Sequence, residues 1–263
     1  MRKYLKIIWI FSKVNLQNEM AYRPSFFLAV IGKTTRMLIL ILVFQVIYFN
    51  TPLLAGWEYK DIFLLAITYL TIESIIITTF HRNLSYYLPD LIKKGNFDFV
   101  LTKPLNPLFY SSFRIIDSMD LTSSFLVIFL WYHYFTHYAG TFSLLSLILY
   151  LLLLGLGLIF LFSLLVIIAS SAFWTVNATG LGRFFEEIVR TGRFPTDVFK
   201  GAFSFLFLYV FPIALIATVP SKAFLGTIDW RYLAYLAVFT FIFTLISKRV
   251  WNHALRHYSS ASS

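Results

Sequence analysis

Cysteine is absent from the sequence, which excludes disulfides, zinc–thiolate centres and thiol nucleophiles and leaves the redox compartment open. Charge is scarce too: 13% of the 263 residues are ionic, against roughly 25% in soluble domains, too few to coat a globule of this length. Negative charge is the scarcest, with 12 Asp and Glu against 22 Lys and Arg and a net charge of +10. What fills the chain instead is apolar, 59% of residues, with 30 Phe among them. Positive charge alone would suit a nucleic-acid partner, but such a binder does not carry an apolar majority, and none is expected here. The composition points to an all-α integral membrane protein, in which surplus cations collect on one side of the bilayer.

A bilayer core of roughly 30 Å needs about 20 apolar helical residues. The longest stretch without Asp, Glu, Lys or Arg runs over residues 121–182, enough for two spans and a short connection. Its break falls at 136–141, after Trp131, Tyr132, Tyr134 and Tyr138, which read as an interfacial aromatic belt. Together with the shorter stretches this gives six expected spans, at about 24–49, 61–80, 107–136, 142–174, 201–219 and 232–250. Residues 1–20 read as an amphipathic helix lying on the inner membrane surface, its lysines near anionic headgroups. A secretory signal would also start basic and apolar, but Lys6 interrupts the apolar part and no small-residue cleavage site follows. Residues 259–263 read as a frayed tail. The chain has no internal repeat and no separate water-soluble domain.

Sorting the 22 cations between these spans leaves Lys60, Lys222 and Arg231 on one side and the other 19 on the opposite side. By the positive-inside rule the crowded side is cytoplasmic. Both termini and the longer loops, residues 81–106 and 175–200, are then expected inside, with three short loops outside.

Signatures of chemistry are missing. Gly32, Lys33 and Thr34 echo the end of a phosphate-binding loop, but Phe27 stands where that loop needs glycine, and the segment lies inside a span. His133 with His137, and His253 with His257, have a spacing that could seat a metal, but neither pair has a third ligand nearby, and interfacial polar tips are the expected role. Neither a catalytic constellation nor a resident cofactor or metal is expected in this chain.

The first inner loop is the most patterned. Pro89 suits the first turn of a short helix that carries Leu91, Ile92 and Lys93, and Gly95 suits its end. Asn106 can cap a further helix that starts at Pro107 and begins the third span well below the membrane. Arg114 and Asp117, three apart on that extension, are expected to pair. Gly95, Phe97, Asp98, Leu101, Lys103, Pro104, Asn106 and Pro107, followed by Arg114 and by Asp117 or Asp120, resemble a motif of the membrane subunits of ABC-type-2 exporters, in the branch of uncharacterised permease components. Arg193, Phe194 and Pro195, then Val198, Phe199, Phe211, Pro212, Ala214, Pro220, Leu225 and Gly226, resemble that family's second block. Met20 to Arg23, before Phe26 and Phe27, fits as well.

The resemblance implies six spans with both ends inside, in a bacterial inner membrane. It implies two permeases, identical or related, each docked on an ATPase subunit that holds ATP and Mg. The coupling helix between spans two and three maps onto residues 88–101, and ATPase coupling is expected of Pro89, Leu91, Ile92, Lys93, Gly95, Phe97, Asp98, Lys103, Pro104, Asn106 and Pro107. Gly95 and the prolines would also make a tight turn with Asp98 as a local cap, a role compatible with docking. The segment 180–200 is amphipathic, with Phe184, Phe185, Ile188 and Val189 opposite Glu186, Glu187 and Arg190; it is expected under the bilayer, with or without contact to the ATPase.

Charge inside a membrane is costly and marks function or pairing. Glu73 lies about 10 Å above the inner end of span two, at a depth comparable to Lys33 and Arg36 in span one. Pairing of Glu73 with one of these cations is expected, either as a structural bridge with snorkelling or as a lining of the substrate path. The expected function is the permease subunit of an ATP-driven exporter that is not itself an enzyme. The alternatives are an ion-driven secondary transporter, a membrane-embedded enzyme and a non-transporting scaffold; the transported substrate stays undefined.

Overall fold

A computed structural model describes residues 2–20, 23–50, 53–138, 143–175, 179–210 and 212–258. Among these, helix is the only repetitive structure, beside one isolated β-bridge between Leu54 and Trp57. Ala21, Tyr22 and Phe211 of the recognisable motifs, the 139–142 connection and the 259–263 tail lie outside the described residues.

The elements in order are α1 (Arg2–Met20), α2 (Arg23–Asn50), α3 (Tyr59–Ile76), α4 (Leu88–Lys93), α5 (Asp98–Leu101), α6 (Pro107–Phe113), α7 (Ser118–His137), α8 (Leu144–Ser170), α9 (Thr179–Thr191), α10 (Ala202–Phe205), α11 (Thr218–Phe224) and α12 (Trp230–Arg256). Four helices among the described residues are long and apolar enough to cross a membrane: Phe26–Phe49, Tyr59–Lys93, Leu144–Phe173 and Trp230–Arg256. The second is the hub. It is mostly buried inside the bundle, and Ile62, Leu64, Leu65, Ile67 and Ile72 have no exposed surface.

Both described ends of the chain meet at one end of the bundle, called here the terminal end. Lys3 Nζ donates to Pro104 O at 3.4 Å, Tyr4 packs edge-on against Phe109, and Tyr258 packs against Phe97 and Phe173. The opposite, far end carries the link from α2 to α3, where Trp57 is buried.

Three segments differ from the sequence expectation. The helix of span two does not stop at residue 80 but runs on to Lys93, so the short helix at Pro89 is its last turns. Proline inside a helix lacks the N–H and crowds the carbonyl four residues back; the widened π-helical turn Asn83–Tyr87 directly before it makes the room. The third span is not one stiff helix: α6 ends at Phe113 and α7 begins at Ser118. Arg114 therefore does not pair with Asp117, and instead donates from Nε to the Tyr110 hydroxyl at 3.2 Å and lies over the Phe11 ring.

The largest difference concerns residues 175–219. The 175–200 segment is not a loop at the terminal end. α9 starts there, beside Tyr86 and His81, and the chain climbs: Gly192 packs on Ile216, Phe194 on Phe44, and Asp197 takes the Trp57 indole N–H at 3.0 Å and lies 2.7 Å from Lys222 Nζ. Asp197 thus sits at the far end. Thirteen helical residues rise about 20 Å, and the more extended 192–197 stretch supplies the rest. The 201–219 segment, expected as span five, is broken into α10, a π-helical turn at Leu206–Val210, a 3-10 turn at Ile213–Leu215 and the buried α11. Pro212 cannot continue a helix. The segment stays near the far end, where Tyr232 and Tyr235 donate to the carbonyls of Leu208 and Tyr209, dips until Leu215 meets Gly157 midway along α8, and returns through α11 to Phe224, beside Trp131 and Tyr150.

Candidate functional site

The break between α6 and α7 is held by polar groups from three other parts of the chain. Asn83 is fully buried; its Oδ1 accepts Ile115 N–H at 2.8 Å and its Nδ2 donates to Ile115 O at 2.6 Å. Asn15 of α1 donates to Arg114 O at 3.1 Å. Asp117 N–H donates to Thr78 O at 3.0 Å, inside the π-helical turn Ile77–His81. A buried backbone polar group must find a partner, so two widened turns in one helix and a gap in its neighbour satisfy each other.

Beside this break is a cavity of about 620 Å³ between α2, α3 and α9. Its walls carry Lys33 and Arg36 from α2, Glu73 and Arg82 from the span-two helix, Asp117 from the break, and Glu186 and Arg190 from α9. The charges are sorted into neighbouring pairs. Arg36 Nη2 lies 3.3 Å from Glu73 Oε1, which also accepts the Tyr69 hydroxyl at 3.1 Å. Lys33, the other cation considered for Glu73, lies 3.6 Å from Asp117 instead, and Arg82 lies 3.4 Å from the same carboxylate. Glu186 accepts the Tyr86 hydroxyl at 3.0 Å, lies 3.5 Å from His81 Nε2 and 3.4 Å from Arg190. Arg193 stands next to Arg36, Tyr69 and Glu73 in an adjoining niche.

The hairpin at the terminal end is built on an aromatic wedge. Phe97 is fully buried between Phe173 and Tyr258, and its N–H closes the turn onto Leu91 O at 3.2 Å. Gly95 has φ +70, a left-handed conformation suited to glycine. Asn106 caps α6 by accepting Phe109 N–H at 3.2 Å, with Pro107 in the first turn. Pro89, Leu91 and Ile92 pack partly inward; Lys93, Lys94, Lys103 and Pro104 are exposed, and so are the apolar Phe99 and Leu101. Phe194 faces Phe44, and Pro195 is buried. Among the described residues no group of three or more His, Cys, Asp or Glu could hold a metal ion.

Sequence reasoning missed Asn83, Thr78, Asp197 and His81, and read Glu186 only as part of an amphipathic face. A dense polar run from Thr78 to Asn83 at the end of an apolar span was the available signal. The side chain of Asp120, the alternative to Asp117 in the motif, lies outside what is described. No curated protein and no solved structure matches the chain. The family model described as ABC-2 family transporter protein matches residues 35–262, the greater part of the chain, including most of the cavity lining, the broken helix and the hairpin. The chain is a membrane protein of the ABC-2 transporter family.

Proposed function

We propose that this chain is the permease subunit of an ATP-driven exporter, working as a dimer with a second permease, identical or related, and coupled to a separate ATPase that holds ATP and Mg. In this reading the terminal end is cytoplasmic and the membrane a bacterial inner membrane. The chain crosses it six times, the fifth time along residues 179–197.

The observation that carries the reading is the mechanical link between hairpin and cavity. The hairpin presents Phe99, Leu101 and the lysines to a partner, while Phe97 anchors it in the bundle. The chain then runs through α6 into the break, whose last residue, Asp117, is in the cavity wall with Lys33 and Arg82. A push on the hairpin from a closing ATPase reaches the break along α4 and α6 together. At the break a few hydrogen bonds, and no continuous helix, resist a change of angle, so the break acts as a hinge. Moving Asp117 against Lys33 and Arg82 would reshape the cavity between inward- and outward-facing states.

Co-purification from mild detergent tests this reading. The wild-type chain should bring down an ATPase, and Phe99→Glu should weaken that association at least tenfold. Absence of any co-purifying ATPase, or vesicle transport driven by an ion gradient without ATP, would overturn it.

A further inference from the structure

On the other face of α3 a groove of about 590 Å³ runs between α6, α8 and α12. Its floor is apolar, formed by Ile75, Phe80, Phe113, Leu158, Ile159 and Phe162. The hydroxyls that line it are used locally: Ser163 bonds Thr244 at 3.1 Å, Thr244 donates to Thr240 O, Ser247 to Thr244 O, and Thr79 to Ile75 O. The floor therefore suits a hydrocarbon chain.

Towards the terminal end the groove changes character. Its rim there carries Lys248, Asn252 and Asn106, and none of the lining residues is acidic. Lys248 and Asn252 are exposed, and Lys248 has no ion-pair partner among the described residues. Asn106 uses its carbonyl oxygen to cap α6 and keeps an amide N–H₂ to donate. On α12 the lining runs from Thr244 to Leu255, a rise of about 16 Å, with Lys248 about 6 Å and Asn252 about 12 Å along it.

An apolar floor bordered by an ammonium and two amides with no carboxylate matches an amphiphile with an acyl tail and an anionic head. We propose that this groove binds one anionic phospholipid from the leaflet at the terminal end. The acyl chain lies along Leu158, Ile159 and Phe162, and the phosphate meets Lys248 and the two amides. A zwitterionic headgroup would bring a second ammonium to a rim that has no acid to receive it.

The test uses the full chain, with any subunits that accompany it, reconstituted in vesicles of equal phosphatidylcholine and phosphatidylglycerol. After extraction in mild detergent, bound lipid is read by native mass spectrometry. The wild-type chain should retain about one phosphatidylglycerol and favour it about tenfold over phosphatidylcholine, or about 1.4 kcal/mol. Lys248→Glu should abolish the preference, Lys248→Arg should keep it, and Arg231→Glu at the far end should leave it unchanged. Asn252→Asp, an exposed change that spares the core, should weaken it on its own and stands in if Lys248→Glu does not fold. Equal retention of the two lipids, no retained lipid, or an unaltered preference in Lys248→Glu or Asn252→Asp would overturn the proposal. So would a dimer that dissociates on Lys248→Glu with no lipid released, which would make this face an interface between copies.

Discussion

At the scale of single residues, the decisive side chain is Asn83, whose amide replaces the helical partners that Ile115 has lost. Replacing it with Leu keeps the branched shape in a somewhat larger side chain but leaves the half-buried N–H and C=O of Ile115 unpaired, at about 1–3 kcal/mol each. Asn83→Leu is expected to lower the unfolding temperature in detergent more than Asn15→Ala, which removes from a half-exposed site one bond to the break and one within α1. The Arg36–Glu73 pair should behave asymmetrically, because the Glu73 side chain is 9% exposed and that of Arg36 is 50% exposed. Arg36→Gln strands a buried carboxylate, whereas Glu73→Gln leaves a cation that can reach solvent. The first should destabilise by about 1–3 kcal/mol and the second by less, with a double variant milder than the sum; equal single losses in thermal unfolding would contradict the geometry. Glu73 was legible in the sequence because an acid in an apolar span has few ways to be satisfied. Asn83 was not, since one amide beside an arginine at a span's end reads as a surface group until the gap it fills is seen.

At the scale of elements, legibility followed uniformity. The helices built mostly from apolar residues, α2, α8 and α12, fall where hydropathy puts them, since a helix satisfies its own backbone in lipid. Segments whose backbone bonds are made by other segments were misread. The 201–219 stretch has the hydropathy of a span, but Pro212 and tertiary contacts break it. Gly157 shows how closely it packs: a Cβ there would lie 2.6 Å from Leu215 O, a backbone atom that cannot rotate away. Gly157→Ala should therefore destabilise by about 1–3 kcal/mol through overpacking. Gly155→Ala, where a Cβ would meet nothing within 4 Å, should stabilise by up to about 1 kcal/mol through helix propensity. Thermal unfolding of the two variants side by side checks the sign.

At the scale of the molecule, the absence of cysteine makes every engineered thiol unique. Lys94→Cys, in the hairpin, and Val198→Cys, beside Asp197, both change exposed residues. In intact cells an impermeant thiol reagent should label Val198→Cys and leave Lys94→Cys untouched until the membrane is opened; labelling of both, or of neither, would refute passage of residues 179–197 from one face to the other. The sequence by itself determined the class and the apolar helices, because both follow from the partition of side chains between water and lipid, and its prolines and glycine marked the hairpin. Only the tertiary structure decided where the third helix breaks, that residues 179–197 run from one end of the bundle to the other, and which acid holds which cation. Those depend on backbone and charged groups finding partners far away in the chain, and hydropathy along a sequence carries no record of such pairings.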